Sequence, residues 1–111
     1  MTFSDVRRTA LAMDGVEEGT SYGTPAFKAG GALFVRYRPD LNSIVVAMDI
    51  EEREAAIQDD PETYYVTDHY LNYPWILVRL PAISKTALHD LLMNAKKFAE
   101  AKNRRKKKSR S

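Results

Sequence analysis

Residues 26–48, AFKAGGALFVRYRPDLNSIVVAM, contain the strongest structural signals in this chain. β-branched and aromatic side chains, which favour strands, are concentrated in residues 32–38 and 43–48. Gly30-Gly31 suits a two-residue hairpin loop, and residues 39–42 (PDLN) suit a longer turn. The pattern therefore predicts three consecutive antiparallel strands at residues 26–29, 32–38 and 43–48.

These two turns predict which residues of neighbouring strands face one another. The first hairpin sets Phe27 opposite Phe34, and the second sets Val35 opposite Val46 and Tyr37 opposite Ile44. Because side chains alternate between faces along a strand, one face of this sheet is strongly apolar. The other face mixes apolar and cationic side chains, namely Phe27, Phe34, Arg36, Arg38, Val45 and Ala47.

The mixed face has two interpretations. Arginines beside aromatic rings are typical of surfaces that bind single-stranded nucleic acid, where bases stack on the rings and phosphates contact the guanidinium groups. The same pattern would result if a helix covered the apolar part and the arginines extended from its edge into solvent. We favour the covered face, because a one-residue slip in register would exchange the two faces.

Helices and further strands flank this stretch. Apolar residues at helical spacing predict helices over residues 3–13, 49–59 and from Ser84 onward, the first with a capping box of Thr2 and Asp5. Two more strands are predicted at residues 63–66 and 75–80, which puts Arg79 on the same side as Trp75 and Leu77. The predicted fold is α+β and two-layered, an antiparallel sheet packed against helices in the order α-β-β-β-α-β-β-α. One domain should span residues 1–101.

Five of the eleven aromatic residues lie between Asp60 and Leu80. The connection from Thr67 to Pro74 is longer than a tight hairpin needs, and loops of polar and aromatic residues held between strands are frequent binding sites. We therefore predict a pocket lined by His69, Tyr70, Asn72 and Tyr73. In the alternative, the tyrosines only close the open end of the sheet. Trp75 begins an apolar strand and is expected to anchor the core.

The charge is divided between two parts of the chain. Residues 1–101 hold ten basic and 15 acidic side chains, whereas residues 102–111 hold seven basic side chains and no acid. Such a run predicts a disordered basic tail that binds nucleic acid without sequence preference. The alternative is a solvated terminus that contacts nothing in particular. The basic residues are Lys102, Arg104, Arg105, Lys106, Lys107, Lys108 and Arg110.

Several classes of function are disfavoured by what the sequence lacks. It has no cysteine, hence no disulfide, thiol nucleophile or Cys-ligated zinc. No signal peptide or apolar membrane span is evident, so a cytoplasmic protein is expected. The only histidines are His69 and His89, and no nucleophile stands at a motif spacing. We expect no enzymatic activity, cofactor or metal, and an enzyme centred on His69 remains a remote option.

Two longer strings resemble the MmcQ/YjbR family of small bacterial domains. They are DGVEEGTSYGTPAFKAGGALFVRYR at residues 14–38 and DPETYYVTDHYLNYPWILVRL at residues 60–80. The resemblance covers roughly residues 1–98 and implies a frataxin-like (CyaY-like) fold, also compared with a double-wing domain. It implies DNA binding by fold analogy. The acidic ridge by which frataxin-like proteins bind iron is missing, because Arg7 and Arg8 share helix 1 with Asp5.

Together these features predict a non-enzymatic DNA- or RNA-binding protein that is monomeric and does not associate with membranes. The basic tail and the sheet arginines Arg36, Arg38 and Arg79 would supply largely sequence-independent contacts. In the alternative, the aromatic segment 64–75 binds a small ligand or another protein.

Overall fold

The computed structural model describes residues 1–109, with side chains up to Arg105. The elements are α1 (Phe3–Leu11), β1 (Val16–Ser21), β2 (Thr24–Ala29), β3 (Ala32–Arg38), β4 (Ser43–Ala47), α2 (Ile50–Asp59), β5 (Tyr64–Tyr65), β6 (Trp75–Arg79) and α3 (Lys85–Ser109). The strands form one six-stranded antiparallel sheet at the centre of the fold, in the order β1-β2-β3-β4-β6-β5. Two short 3₁₀ helices, Pro39–Leu41 and Asp68–Tyr70, lie in the connections.

The predicted α+β class and antiparallel sheet are confirmed, with one additional strand. β1 forms the edge of the sheet and pairs with β2 through a two-residue turn at Tyr22-Gly23. Its sequence, VEEGTS, is polar and almost wholly exposed, so it lacks the apolar alternation that identifies a strand. Charged residues such as Glu17 and Glu18 are common on edge strands, where they oppose pairing with other chains.

The predicted register is correct in the second hairpin and only partly correct in the first. Val35 pairs with Val46 and Tyr37 with Ile44, as expected. Between β2 and β3, Lys28 pairs with Leu33, as the two-residue loop predicts, but Phe27 pairs with Val35 instead of Phe34, so Phe34 is the extra residue of a β-bulge. The bulge moves Phe27 to the side of Val35, and both phenylalanines belong to the main core rather than to the arginine face.

The two faces of the sheet carry hydrophobic clusters of very different size. On the first face, α1 and α3 cover the main core, which includes Val6, Phe27, Ile44 and Leu92. On the second face, a small cluster consists of Val45, Leu77 and Tyr70, packed against Trp75 and Tyr65. The segment 66–73, with its single 3₁₀ turn, thus covers the apolar part of the arginine face, where the sequence suggested a helix.

The last helix, α3, continues into the basic end of the chain. Residues 102–109 are helical, which corrects the predicted disorder there, while residues 110–111 lie outside the described part. Lysine and arginine have good helix propensity, so a charged run can extend a helix that is already anchored. Asn103 supplies one anchor: its Nδ2 donates to the Gly30 carbonyl oxygen at 3.0 Å. Within residues 1–109, no helix is long and apolar enough to cross a membrane.

The capping box of α1 gives the domain a stabilising contact that depends on pH. The Thr2 backbone N–H donates to the Asp5 carboxylate at 2.8 Å, and this bond is the main cause of a lowered Asp5 pKa. The Asp5 carboxyl group therefore binds a proton less tightly in the folded state than in the unfolded chain. The stabilisation is complete above the ordinary Asp pKa of 3.8 and is lost as the pH falls through the lower folded value.

Between about pH 5 and about pH 2, we expect the melting temperature of Asp5→Asn to fall less than that of the wild type, because the amide at position 5 does not take up a proton in this range. Asp14→Asn is the control, since Asp14 is exposed and makes no hydrogen bond within residues 1–109. It should follow the wild-type curve. Parallel acid curves for Asp5→Asn and the wild type would contradict the assignment. Melting followed by circular dichroism measures both.

Candidate functional site

A buried arginine shapes the segment that covers the second face. Arg53 of α2 is only 1% exposed. Its Nη1 donates to the carbonyl oxygens of Tyr70 (3.2 Å), Tyr73 (2.9 Å) and Trp75 (3.2 Å), and its Nη2 donates to that of Leu71 (2.9 Å). In regular secondary structure, backbone N–H groups pair with the carbonyl oxygens. In this segment, Arg53 supplies N–H donors to four carbonyl oxygens instead. Arg53 of α2 therefore fixes the backbone path of residues 70–75.

Arg36 of β3 lies beside this segment on the second face. Its Nε donates to the Ser21 carbonyl oxygen (3.1 Å) and to Thr24 Oγ1 (3.0 Å), and its Nη1 donates to the Tyr70 hydroxyl (3.0 Å). The guanidinium carbon also lies 5.1 Å from the centre of the Tyr22 ring. Within residues 1–109, its Nη2 has no hydrogen-bond partner. The group is thus held firmly on one side and keeps donors available on the other.

A concavity of about 230 Å³ opens next to Arg36; we call it the tyrosine concavity. Leu33, Val45 and Trp75 contribute apolar surface, and Ser21 adds a polar edge. Aromatic rings supply the rest of the lining, namely Tyr22, His69, Tyr70 and Tyr73. Tyr22 is 90% exposed and Tyr73 is 60% exposed. The arrangement places large, accessible rings around a cationic group on a mostly apolar surface.

Tyr22 is held in an unusual backbone conformation. Its φ is 53°, and the following Gly23 has a φ of 79°, as the two-residue turn between β1 and β2 requires. Asparagine, aspartate and glycine adopt this region easily, whereas a bulky residue there is strained. The strain of about 1–2 kcal/mol exceeds the roughly 0.5–1 kcal/mol that the contact with Arg36 contributes, so the position of this exposed tyrosine suggests a functional role.

A second concavity of about 280 Å³ adjoins the first; we call it the helix-end concavity. It shares Leu33, Tyr73 and Trp75 with the tyrosine concavity and extends over Ala32, Ala47 and Pro74. The C-terminal part of α3 closes it with Phe98, Ala99, Lys102 and Asn103. We refer to the two together as the aromatic groove. It runs from the Tyr22 turn, past Tyr73 and Trp75, to the basic end of α3.

The predicted pocket residues lie only partly together. His69, Tyr70 and Tyr73 line the tyrosine concavity, whereas Asn72 is exposed and lines neither concavity. Trp75 is half-buried: it packs against both hydrophobic clusters and also lines both concavities.

The predicted sheet arginines share one face, but two of them are occupied. Arg38 forms a bidentate ion pair with Asp40, with its Nη2 at 2.7 Å from Oδ2. The hydrogen bond with Asp40 raises the pKa of Arg38, and the nearby Tyr70 hydroxyl contributes less. Arg79 lies 4.0 Å from the Tyr65 ring centre and donates to the Pro61 and Glu62 carbonyl oxygens. Arg36 is therefore the sheet arginine that faces the groove.

The predicted tail residues divide in the same way. Lys102 lines the helix-end concavity, and Arg104 and Arg105 are exposed on the last turns of α3. The side chains of Lys106, Lys107 and Lys108, and the whole of Arg110, lie outside the described part of the chain. The roles of Tyr22 and Arg53 were not predicted. A Tyr-Gly pair, which suits a tight turn, was the available signal for Tyr22, while nothing local distinguishes Arg53 from a solvated helix residue.

The similarity to a known family extends over most of the domain. A family model described as YjbR matches residues 11–95, from the end of α1 into α3. No curated protein and no solved structure gives a significant match. The matched region contains all six strands and the whole lining of the tyrosine concavity, while the basic end of α3 lies beyond it. The chain belongs to the YjbR family.

Proposed function

We propose that this protein is a non-enzymatic nucleic-acid-binding protein that holds a single strand in the aromatic groove. The proposal rests on the order in which aromatic and basic side chains line the groove. Tyr22 and Arg36 lie at one end and Lys102 at the other. Tyr73 and Trp75 lie between them. Aromatic rings bind successive bases by stacking, and a basic path follows the phosphates. Both kinds of group alternate here on one continuous surface.

The distribution of charge supports the same proposal. The body of the chain is formally negative, since residues 1–101 hold ten basic and 15 acidic side chains. Among residues 1–105, however, no acidic side chain lines either concavity. Acidic residues instead occupy α2 and the edge strand β1, as with Glu17, Glu51 and Glu52. A polyanion would therefore approach the groove without meeting a carboxylate in its lining.

The alternative is a small planar ligand held in the tyrosine concavity alone. A half-buried arginine surrounded by rings favours it, because such sites combine apolar surface with a few polar groups. The volumes of the concavities favour a nucleic-acid strand over a small ligand. At about 230 and 280 Å³, both lie below the roughly 300 Å³ at which small-molecule pockets begin. Two shallow concavities in a row suit successive nucleotides better than one enclosed ligand.

Binding of a fluorescently labelled oligonucleotide of about 12 nucleotides, single-stranded or annealed to its complement, tests the proposal directly. We expect the single strand to bind more tightly at equal salt, because paired bases cannot stack on Tyr22 and Tyr73. Equal affinity for the duplex, or no binding of either, would contradict it.

Replacing Tyr22 with asparagine should weaken single-strand binding by roughly 5- to 150-fold, since a stacked base contributes about 1–3 kcal/mol. The same change should not destabilise the protein. It creates an Asn-Gly turn that accepts positive φ, relieving about 1–2 kcal/mol, against about 0.5–1 kcal/mol lost with the Arg36 contact. Fluorescence anisotropy and urea unfolding measure the two effects.

Tyr22→Phe is the matched control, because it keeps the ring and loses only the hydroxyl. It should retain both the affinity and the stability of the wild type. A Tyr22→Asn protein that binds like the wild type would show that this ring does not stack on the strand.

A further inference from the structure

We infer that the tyrosine concavity selects a guanine base, recognised by the guanidinium group of Arg36. This inference rests on the proposed function and adds a base preference to it. It concerns one position along the strand; the remaining contacts of the groove and of α3 carry no base information.

The donors of Arg36 carry the argument. An arginine has five N–H groups. The bonds to Ser21, Thr24 and Tyr70 use the single N–H of Nε and one N–H of Nη1. The second N–H of Nη1 and both of Nη2 have no partner within residues 1–109. The open edge of the group therefore offers two adjacent nitrogens, the arrangement that binds two acceptors side by side.

Guanine matches this edge, whereas adenine does not. Its O6 and N7 are neighbouring acceptors, and bidentate contact with arginine is the commonest specific contact to a base. Adenine presents an N6 amino donor beside N7, so one N–H of Arg36 would face another donor. The guanidinium cannot turn to adapt, because Nε and Nη1 are already bonded to the β1–β2 turn and to Tyr70.

The rest of the concavity suits a planar base. Leu33, Val45 and Trp75 offer apolar surface, and the exposed Tyr22 ring stands next to the guanidinium. A purine with its edge toward Arg36 would cover this surface with its flat face. Stacking accepts any base, whereas the guanidinium edge distinguishes among them.

The test compares two single-stranded oligonucleotides of thymine that differ at one central position, guanine or adenine. Trp75 is the only tryptophan and lines the concavity, so its fluorescence reports binding without a label. We expect the wild type to bind the guanine strand at least about fivefold more tightly. Arg36→Lys should abolish the difference, since an ammonium lacks the two parallel donors. Arg8→Gln, which removes a charge from the exposed face of α1, should keep it.

Equal affinity of the wild type for both strands would overturn the inference, and this comparison needs no variant to fold. A second experiment compares the affinities of the protein for the free nucleotides GMP and AMP. If the two strands bind equally well, the guanine inference fails while the proposed function stands. If GMP is preferred and neither strand binds, the proposed function fails and the base preference stands for a free nucleotide.

Discussion

Replacing Arg53 with methionine is expected to lower the free energy of unfolding by about 3–5 kcal/mol. The side chain is 1% exposed, and four backbone carbonyl oxygens of residues 70–75 accept from it. Methionine fills a similar volume but donates no hydrogen bond, so all four carbonyl oxygens would lose this donor, although those of Tyr70 and Tyr73 would each keep one backbone N–H. That loss is a large share of the 5–15 kcal/mol that usually stabilises a domain. Urea denaturation followed by circular dichroism measures it.

The neighbouring residue provides the control for this prediction. Glu54 accepts from Arg53 Nε and Nη2, but its own side chain is 59% exposed. A Glu54→Gln variant should therefore lose no more than about 1 kcal/mol, as expected for a pair with one partner in water. If Arg53→Met were as stable as Glu54→Gln, the four carbonyl bonds would not contribute as argued.

The same substitution has a second expected consequence, at the groove. Residues 70–75 supply Tyr70, Tyr73 and Trp75 to its lining, and their backbone is fixed through Arg53. Under conditions where Arg53→Met is still folded, we expect weaker single-strand binding and a changed Trp75 emission. Glu54→Gln should show neither effect.

The sequence was informative where local patterns decide the structure. The strand at residues 32–38, the hairpin partners of Val35 and Tyr37, and the capping box of Thr2 and Asp5 all follow from neighbouring residues. β1 was missed because an exposed edge strand does not need apolar alternation. The bulge at Phe34 was missed because its cause is the packing of both phenylalanines into one core, which a count of loop residues does not contain.

The site was less predictable than the fold, for a similar reason. Arg53 sits in the string EEREAA and looks like a solvated helix residue, yet carbonyls 17 to 22 positions later determine its burial. Arg36, Arg38 and Arg79 look equivalent in sequence. Their partners separate them from the arginine that faces the groove: Asp40, two residues along the chain, pairs with Arg38, and Tyr65, brought by folding, packs against Arg79.

Ending the chain at Ala101 is expected to weaken single-strand binding by at least about 100-fold at 0.1 M salt. The change removes seven basic side chains, and each phosphate contact contributes about −0.7 to the slope of log affinity against log salt for a single strand. If all seven basic side chains contacted phosphates, the tail would contribute about −5 to this slope, which is an upper bound. A truncated protein that binds as tightly as the full chain at equal salt would show that the tail contributes nothing.

Truncation also removes Asn103, whose bond to Gly30 ties α3 to the β2–β3 turn. The full chain with Lys106, Lys107 and Lys108 replaced by glutamine separates charge from this anchor, because it keeps Asn103 and the helix-forming character of the run. Three lost contacts should reduce the slope by about 2 without changing the preference for a single strand over a duplex. Since phosphate contacts set affinity and the rings of the groove set selectivity, the two properties should respond to different substitutions: the lysines change the first, and Tyr22 and Arg36 change the second.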